Sequence, residues 1–224
     1  KEKEKEEQKT NCRSTTTETT LSGRRLLRVQ GTLVCESLRH SLLIELMKWS
    51  NTGVSSGKSR ERPSIQASSY MILHSLDHIR TQMGAKKGKK ALSKYQQYET
   101  IWNLAMTALK EVDEVFANNV TAIAVTHNFT GSPHIDKQNT GPFYGLSLGD
   151  FEDLTGGVQV ECSARVVCET NTKNRWGKCD GRFPHWVSPY DVVRCYRYSL
   201  ICYRTSGVVD PVSAAIFSVP EELA

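Results

Sequence analysis

The chain has 224 residues, 38% of them apolar, with 29 Lys/Arg against 24 Asp/Glu and a formal charge of +5. That length holds one sizeable domain, or one domain with an appended piece. No run approaches the roughly 18 apolar residues of a membrane-spanning helix, and seven cysteines without a CxxC pair argue against a zinc ribbon or a disulfide framework.

The chain starts at Lys1 and not at Met, so it reads as a fragment, and no signal peptide is visible. Reduced thiols imply an intracellular compartment, nuclear or cytoplasmic. Asn119 and Asn128 open glycosylation acceptor patterns that matter only in a secreted chain. Charge is uneven. Residues 1–120 carry 20 Lys/Arg and 13 Asp/Glu, while residues 121–224 carry 9 and 11. A nucleic-acid partner held through the basic N-terminal half is one reading of this asymmetry, with no membrane partner.

Residues 1–36 begin with alternating charge and a Thr-rich tract, which bury little apolar surface, and are expected to be disordered. Residues 37–119 are expected to form a helical support. Leu38, Leu42, Leu43, Leu46 and Met47 give 37–49 a helical apolar face. Ser64 is expected to cap a second helix whose stripe is Ile72, Leu76, Ile79 and Met83, ending at Gly84. The run Lys86, Lys87, Lys89, Lys90 is expected in a loop, either a polyanion contact or a solvated connection. A longer helix is expected from Ala91 to about Asn118.

At Val120 the pattern changes. TAIAV, FYGLSLGDF, GGVQVEC, ARVVCE, HWVSPY and RYSLICY are short strand-like runs separated by Gly, Pro, Asn and Asp. Such spacing predicts a sandwich or barrel over 120–206. Residues 207–224 form a C-terminal extension.

Within this β region, His134 and Asp136 stand two residues apart after Gly131-Ser132-Pro133. On a strand, residues i and i+2 share a face, so the pair can chelate one ion. By itself the spacing is weak, because six His and eight Asp put such a pair within reach of coincidence. A second imidazole, His185, opens another strand-like run 51 residues on, and Arg197 and Ser199 share a face of a third. Two imidazoles and one carboxylate are the facial triad of non-haem iron. A nearby arginine forks onto a carboxylate bidentately.

HxD, His and Arg-x-Ser in this order, with Gly156-Gly157-Val158-Gln159-Val160 between the two metal motifs, resemble the Fe(II)/2-oxoglutarate-dependent dioxygenases. The resemblance covers about 120–206. It implies an α+β chain whose core is a double-stranded β-helix, a jelly roll of cupin type, preceded by packing helices. It implies His134, Asp136 and His185 as iron ligands, and Arg197 with Ser199 on the distal carboxylate of 2-oxoglutarate. Arg194 is the rival of Arg197. Asn139 and Tyr144 are candidates for the near end of the keto acid, or a turn-capping Asn and a core Tyr. Oxygen is the implied co-substrate, with ascorbate a candidate auxiliary reductant. The chemistry implied is oxidative decarboxylation of 2-oxoglutarate coupled to hydroxylation of a C–H bond. The HIDKQN context is similar to the TET/JBP-like branch that oxidises methyl groups of nucleic-acid bases. A protein side-chain or small-metabolite hydroxylase, and a non-catalytic jelly-roll module that binds a metal or ligand, are the alternatives.

Other polar residues have plainer readings. His127 lies behind the site or on the surface, and His40, His74 and His78 lie on exposed helix faces. Trp176, Trp186 and Tyr190 line a pocket or fill the core. Cys162, Cys168, Cys179, Cys195 and Cys202 act as small buried hydrophobes.

Overall fold

The computed structural model describes residues 16–19, 23–54 and 66–217. Its elements are β1 (Thr16–Thr19), β2 (Arg25–Gln30), β3 (Thr32–Leu33), α1 (Glu36–Val54), β4 (Ser69–His74), α2 (Leu76–Gln82), α3 (Ala85–Gln97), α4 (Glu99–Lys110), α5 (Glu114–Asn118), β5 (Ala122–His127), β6 (Phe143–Gly149), β7 (Val158–Ser163), β8 (Val166–Asn171), β9 (Arg175–Cys179), β10 (His185–Val187) and β11 (Arg197–Tyr203).

The strands form two sheets. The major sheet has the order β3-β9-β6-β11-β5-β4 and the minor sheet β1-β2-β8-β7-β10. Together they make the jelly roll expected from the sequence, with helices packed on one side. Period-two alternation decides which side chains reach which layer. On β11, Tyr198, Leu200 and Cys202 face the helices, joining Leu42 and Leu46 of α1 and Ile101, Ala105 and Leu109 of α4. Arg197, Ser199, Ile201 and Tyr203 alternate onto the opposite face, toward the minor sheet. There Phe143, Val158, Val160, Cys168 and Cys179 form a second, smaller core.

Several expectations change. The stretch expected to be disordered up to residue 36 contains β1, β2 and β3. β2 runs parallel to β8, with Leu27 opposite Cys168 and Val29 opposite Thr170. Leu27 and Val29 are buried between the sheets, and Arg28 finds Glu169 at 3.5 Å. A long-range partner supplies what the local composition lacks. Residues 1–15 lie outside the described residues, as does Ser64 with its expected helix cap.

Ile72 belongs to β4, not to a helix. Tyr-Met-Ile-Leu is a continuous apolar run, and periodicity alone cannot tell a buried strand from a helix there. The following helix is α2, and its cap is Ser75, whose hydroxyl accepts from the His78 N–H. His74 closes β4 half-buried and stacks on His78 with ring centroids 5.2 Å apart. Burial holds its imidazole down at about 4. The long helix expected from Ala91 is three helices, α3, α4 and α5. Lys86, Lys87, Lys89 and Lys90 are not in a loop but on the exposed face of α3, opposite buried Gly88 and Tyr95.

Cys168, Cys179 and Cys202 are buried as expected, while Cys162 and Cys195 are only partly so. Trp176 is a core residue, 1% exposed. Among the described residues no helix is long and apolar enough to cross a membrane.

Candidate metal centre

The two sheets leave between them a cleft of about 570 Å³. His134, Asp136, His185, Arg197 and Ser199 all line it, His134 exposed and His185, Arg197 and Ser199 buried. His134 was expected to start a strand. It instead makes a single antiparallel bridge with His185, His134 N donating to His185 O at 3.0 Å and His185 N to His134 O at 2.9 Å. Asp136 N then donates to Gly181 O at 2.8 Å. Three backbone bonds thus lay the HxD segment along the edge of β10, so alternation still turns both side chains to one side. β10 is in turn held by β7, with His185 opposite Val160.

The three side chains each offer a ligand atom, all within 4.8 Å of one another. His134 Nε2 is 3.9 Å from Asp136 Oδ1, and His185 Nε2 is 3.8 Å from Asp136 Oδ2. These gaps are too long for hydrogen bonds, yet admit an ion at about 2.0–2.2 Å from each donor.

The imidazoles are prepared for that use. His134 Nδ1 donates to Ser132 O at 2.8 Å and His185 Nδ1 to Phe183 O at 3.0 Å. A carbonyl only accepts, so in both rings the proton sits on Nδ1 and the Nε2 lone pair faces the gap. Burial pulls His185 below its ordinary pKa, and the Asp136 carboxylate only partly offsets it. The neutral, ligating form is favoured. The residues fit a divalent ion of borderline softness.

Asn139 lines the cleft beside Asp136. Its Nδ2 donates to Asp136 Oδ2 at 2.9 Å and holds the carboxylate. Gly181 lies against the same carboxylate oxygen, beside the Asn139 amide. A Cβ there would sit 2.6 Å from Asp136 Oδ2 and 3.1 Å from Phe143 Cδ1. Gly181→Ala is therefore expected to turn Asp136 out of line and to weaken Zn(II) or Mn(II) binding by about 10–100-fold, the usual cost of disturbing the surroundings of a ligand. Competition against a chromogenic chelator measures it.

Arg197 is 1% exposed. Nη1 donates to Ser199 Oγ at 2.6 Å, and Nη2 donates to Ser147 Oγ at 2.8 Å and to Gly156 O at 2.6 Å. A guanidinium has five N–H groups: three reach these acceptors, the Tyr190 hydroxyl also interacts with the group, and Nε makes no hydrogen bond among the described residues. No carboxylate of the described residues pairs with it. Its plane is flanked by Phe151 and Tyr190, with Cζ at 5.6 and 5.4 Å from their ring centroids. Burial pulls it down to about 10. A buried cation without an anion costs several kcal/mol, and an incoming carboxylate removes that cost.

The pair of glycines before β7 now has a physical reason. Gly156 takes φ of +60°, and a Cβ on it would meet Arg197 Nε at 2.9 Å. Only glycine both adopts this turn and lets the guanidinium lie against its backbone.

Arg194, the rival, is exposed and sits 3.8 Å from Asp191. Tyr144 is not at the site. It points to the helix side of β6, where its hydroxyl donates to Asp113 Oδ2 at 3.0 Å and its ring packs on Phe116. Phe143, Gly145 and Ser147 of β6 line the cleft. His127 is half-buried and stacks on Tyr198. Trp186 lies at the cleft, its Nε1 donating to Gln159 Oε1 at 2.6 Å.

Ser147 and Gly181 were not found from the sequence. Ser147 carried a signal. It is a small hydroxyl within an apolar strand, and the register sets it opposite Ser199. Gly181 carried none, because its importance comes from a contact across the fold.

No family model matches the chain, and no curated protein matches it. Solved structures do. The structure described as NgTET1 in complex with 5mC DNA is 13% identical, over 79% of this chain and 70% of that one, with a TM-score of 0.39. A Pseudomonas putida prolyl-4-hydroxylase is 10% identical over 87% and 94%, with a TM-score of 0.42. AviO1 from Streptomyces viridochromogenes Tue57 is 15% identical over 82% and 90%, with a TM-score of 0.41. At these scores they assign neither activity nor substrate to this chain.

Proposed function

We propose that this chain is an Fe(II)- and 2-oxoglutarate-dependent dioxygenase that oxidises a C–H bond. The observation that carries the reading is one cleft holding both a two-imidazole, one-carboxylate cluster and a buried arginine with no anion among the described residues. The first suits a ferrous ion with open positions. The second suits the far carboxylate of a dicarboxylic keto acid.

In this reading His134, Asp136 and His185 hold the ion, which when bound supplies the oxygen chemistry that side chains lack. The chain's own residues do the rest. The Ser132 and Phe183 carbonyls keep each imidazole in its ligating tautomer, and Asn139 steadies the carboxylate. Arg197 and Ser199 anchor the distal carboxylate, so that the keto end of the acid is directed back to the cluster. Phe151 and Tyr190 cover the guanidinium and keep water from it, which strengthens its hold on an anion.

The test needs no knowledge of the substrate. The protein in air with Fe(II) and 2-oxoglutarate is expected to release succinate slowly, and to do so only with both present. No succinate above the metal-only background would remove the reading.

A further inference from the structure

The segment after β11, residues 207–217, passes back beneath the metal centre as a strap. Asp210 uses all its polar groups there. Its N–H donates to Thr140 O at 2.7 Å, its carbonyl accepts from Arg182 Nη1 at 2.6 Å, and its carboxylate pairs with Arg204. Thr140 lies four residues after Asp136, and its own N–H donates to Arg204 O at 2.9 Å.

Arg182 lies three residues before His185. Its Nε and Nη2 grip the Asp180 carboxylate at 2.8 and 2.6 Å, and Asp180 is fully buried. The remaining N–H groups reach the Asp210 carbonyl and, at 3.5 Å, the Pro211 carbonyl. Farther on the strap is anchored. Asp180 N donates to Ala215 O at 2.9 Å, Ile216 bridges Cys179, and Ile216 is buried in the smaller core.

The segments bearing Asp136 and His185 are thus joined twice. One join is direct, through the His134–His185 bridge and the bond from Asp136 N to Gly181 O. The other runs from Thr140 through Asp210 to Arg182. We infer that Arg182 and Asp210 are positioning residues of the metal centre, fixing the separation between the Asp136 carboxylate and the His185 imidazole through the strap. The inference rests on the metal reading above. Ligand distances tolerate only about ±0.2 Å around one ion, so a second tie between two ligand-bearing loops acts directly on affinity.

Arg182→Lys separates this role from folding. Lysine keeps a positive charge beside buried Asp180 but has a single nitrogen, so it cannot hold that carboxylate and the strap carbonyls together. Asp210→Ala removes the link to Arg204 and loosens the strap. The experiment is Co(II) binding to the full chain, read by visible absorption and chelator competition, well below the unfolding temperature and without oxygen. Both variants are expected to bind Co(II) about 10–100-fold more weakly and with a changed absorption band. The unfolding midpoint of metal-free Arg182→Lys should stay near wild type. Arg194→Ala, a surface change, should leave affinity and band untouched.

Wild-type affinity and band in both variants would overturn the inference. So would an affinity loss that merely follows the unfolded fraction measured by circular dichroism. If the wild-type chain takes up no Co(II), the metal reading itself fails and the inference falls with it. If wild type binds, Asp136→Ala does not and the strap variants match wild type, only the inference is lost.

Discussion

Asp136→Ala is expected to abolish tight binding of one divalent ion while leaving the chain folded. Asp136 supplies the only carboxylate of the cluster and faces both imidazoles, at 3.9 and 3.8 Å. Without it two neutral nitrogens remain, and the charge that offsets the ion is gone. The loss should exceed the about 10–100-fold typical of disturbing a group behind a ligand. The fold should persist, because the Asp136 side chain is 31% exposed and its backbone bond to Gly181 does not depend on the side chain. Calorimetric titration with Mn(II) measures the affinity, and circular dichroism the fold. Near-wild-type affinity in this variant would show that the ion lies elsewhere.

The second large effect concerns Arg197→Met. In the metal-loaded wild-type protein, 2-oxoglutarate at a hundred times its Kd should add about 2.7 kcal/mol of stability. For a chain of this length that raises the unfolding midpoint by roughly 5–10 °C. Methionine fills much of the same space but offers no donor to a carboxylate, so the keto-acid shift should vanish while metal affinity is kept. The vacated hydroxyls have somewhere to turn, since Ser147 Oγ and Ser199 Oγ are already 3.5 Å apart. Removing a buried charge with no anion also offsets part of the lost bonding. A full thermal shift in this variant would mean that the acid binds elsewhere. Arg197→Lys should fall between the two, having the charge without the fork.

The sequence showed the β core and its site more clearly than the surrounding structure. β5, β6, β7, β8, β10 and β11 all lie on short apolar, β-branched runs bounded by turn residues, and β5 and β6 are buried on both faces. β9 was missed, since Arg-Trp-Gly-Lys-Cys offers little alternation and its place is set by pairing with β6. β2 was hidden for a related reason. Its arginines look solvated until Glu169 is brought alongside by a parallel pairing some 140 residues away.

At the site, period two put His134 with Asp136 and Arg197 with Ser199, and the described residues have each pair side by side. Tyr144 shows the limit. It is close in sequence to the HxD segment, but parity on β6 turns it to the helices. Asn139 is at the cleft, its amide on the carboxylate of Asp136. Gly156 and Gly181 are there for what their missing Cβ atoms would strike, which only the folded chain reveals.

The most direct measurement is anaerobic calorimetry of 2-oxoglutarate into the protein with and without Fe(II). The account predicts one ion per chain, one keto acid per chain, and keto-acid binding at least tenfold tighter when the ion is present. Equal binding with and without iron, or an iron stoichiometry unchanged in His185→Ala, would contradict it.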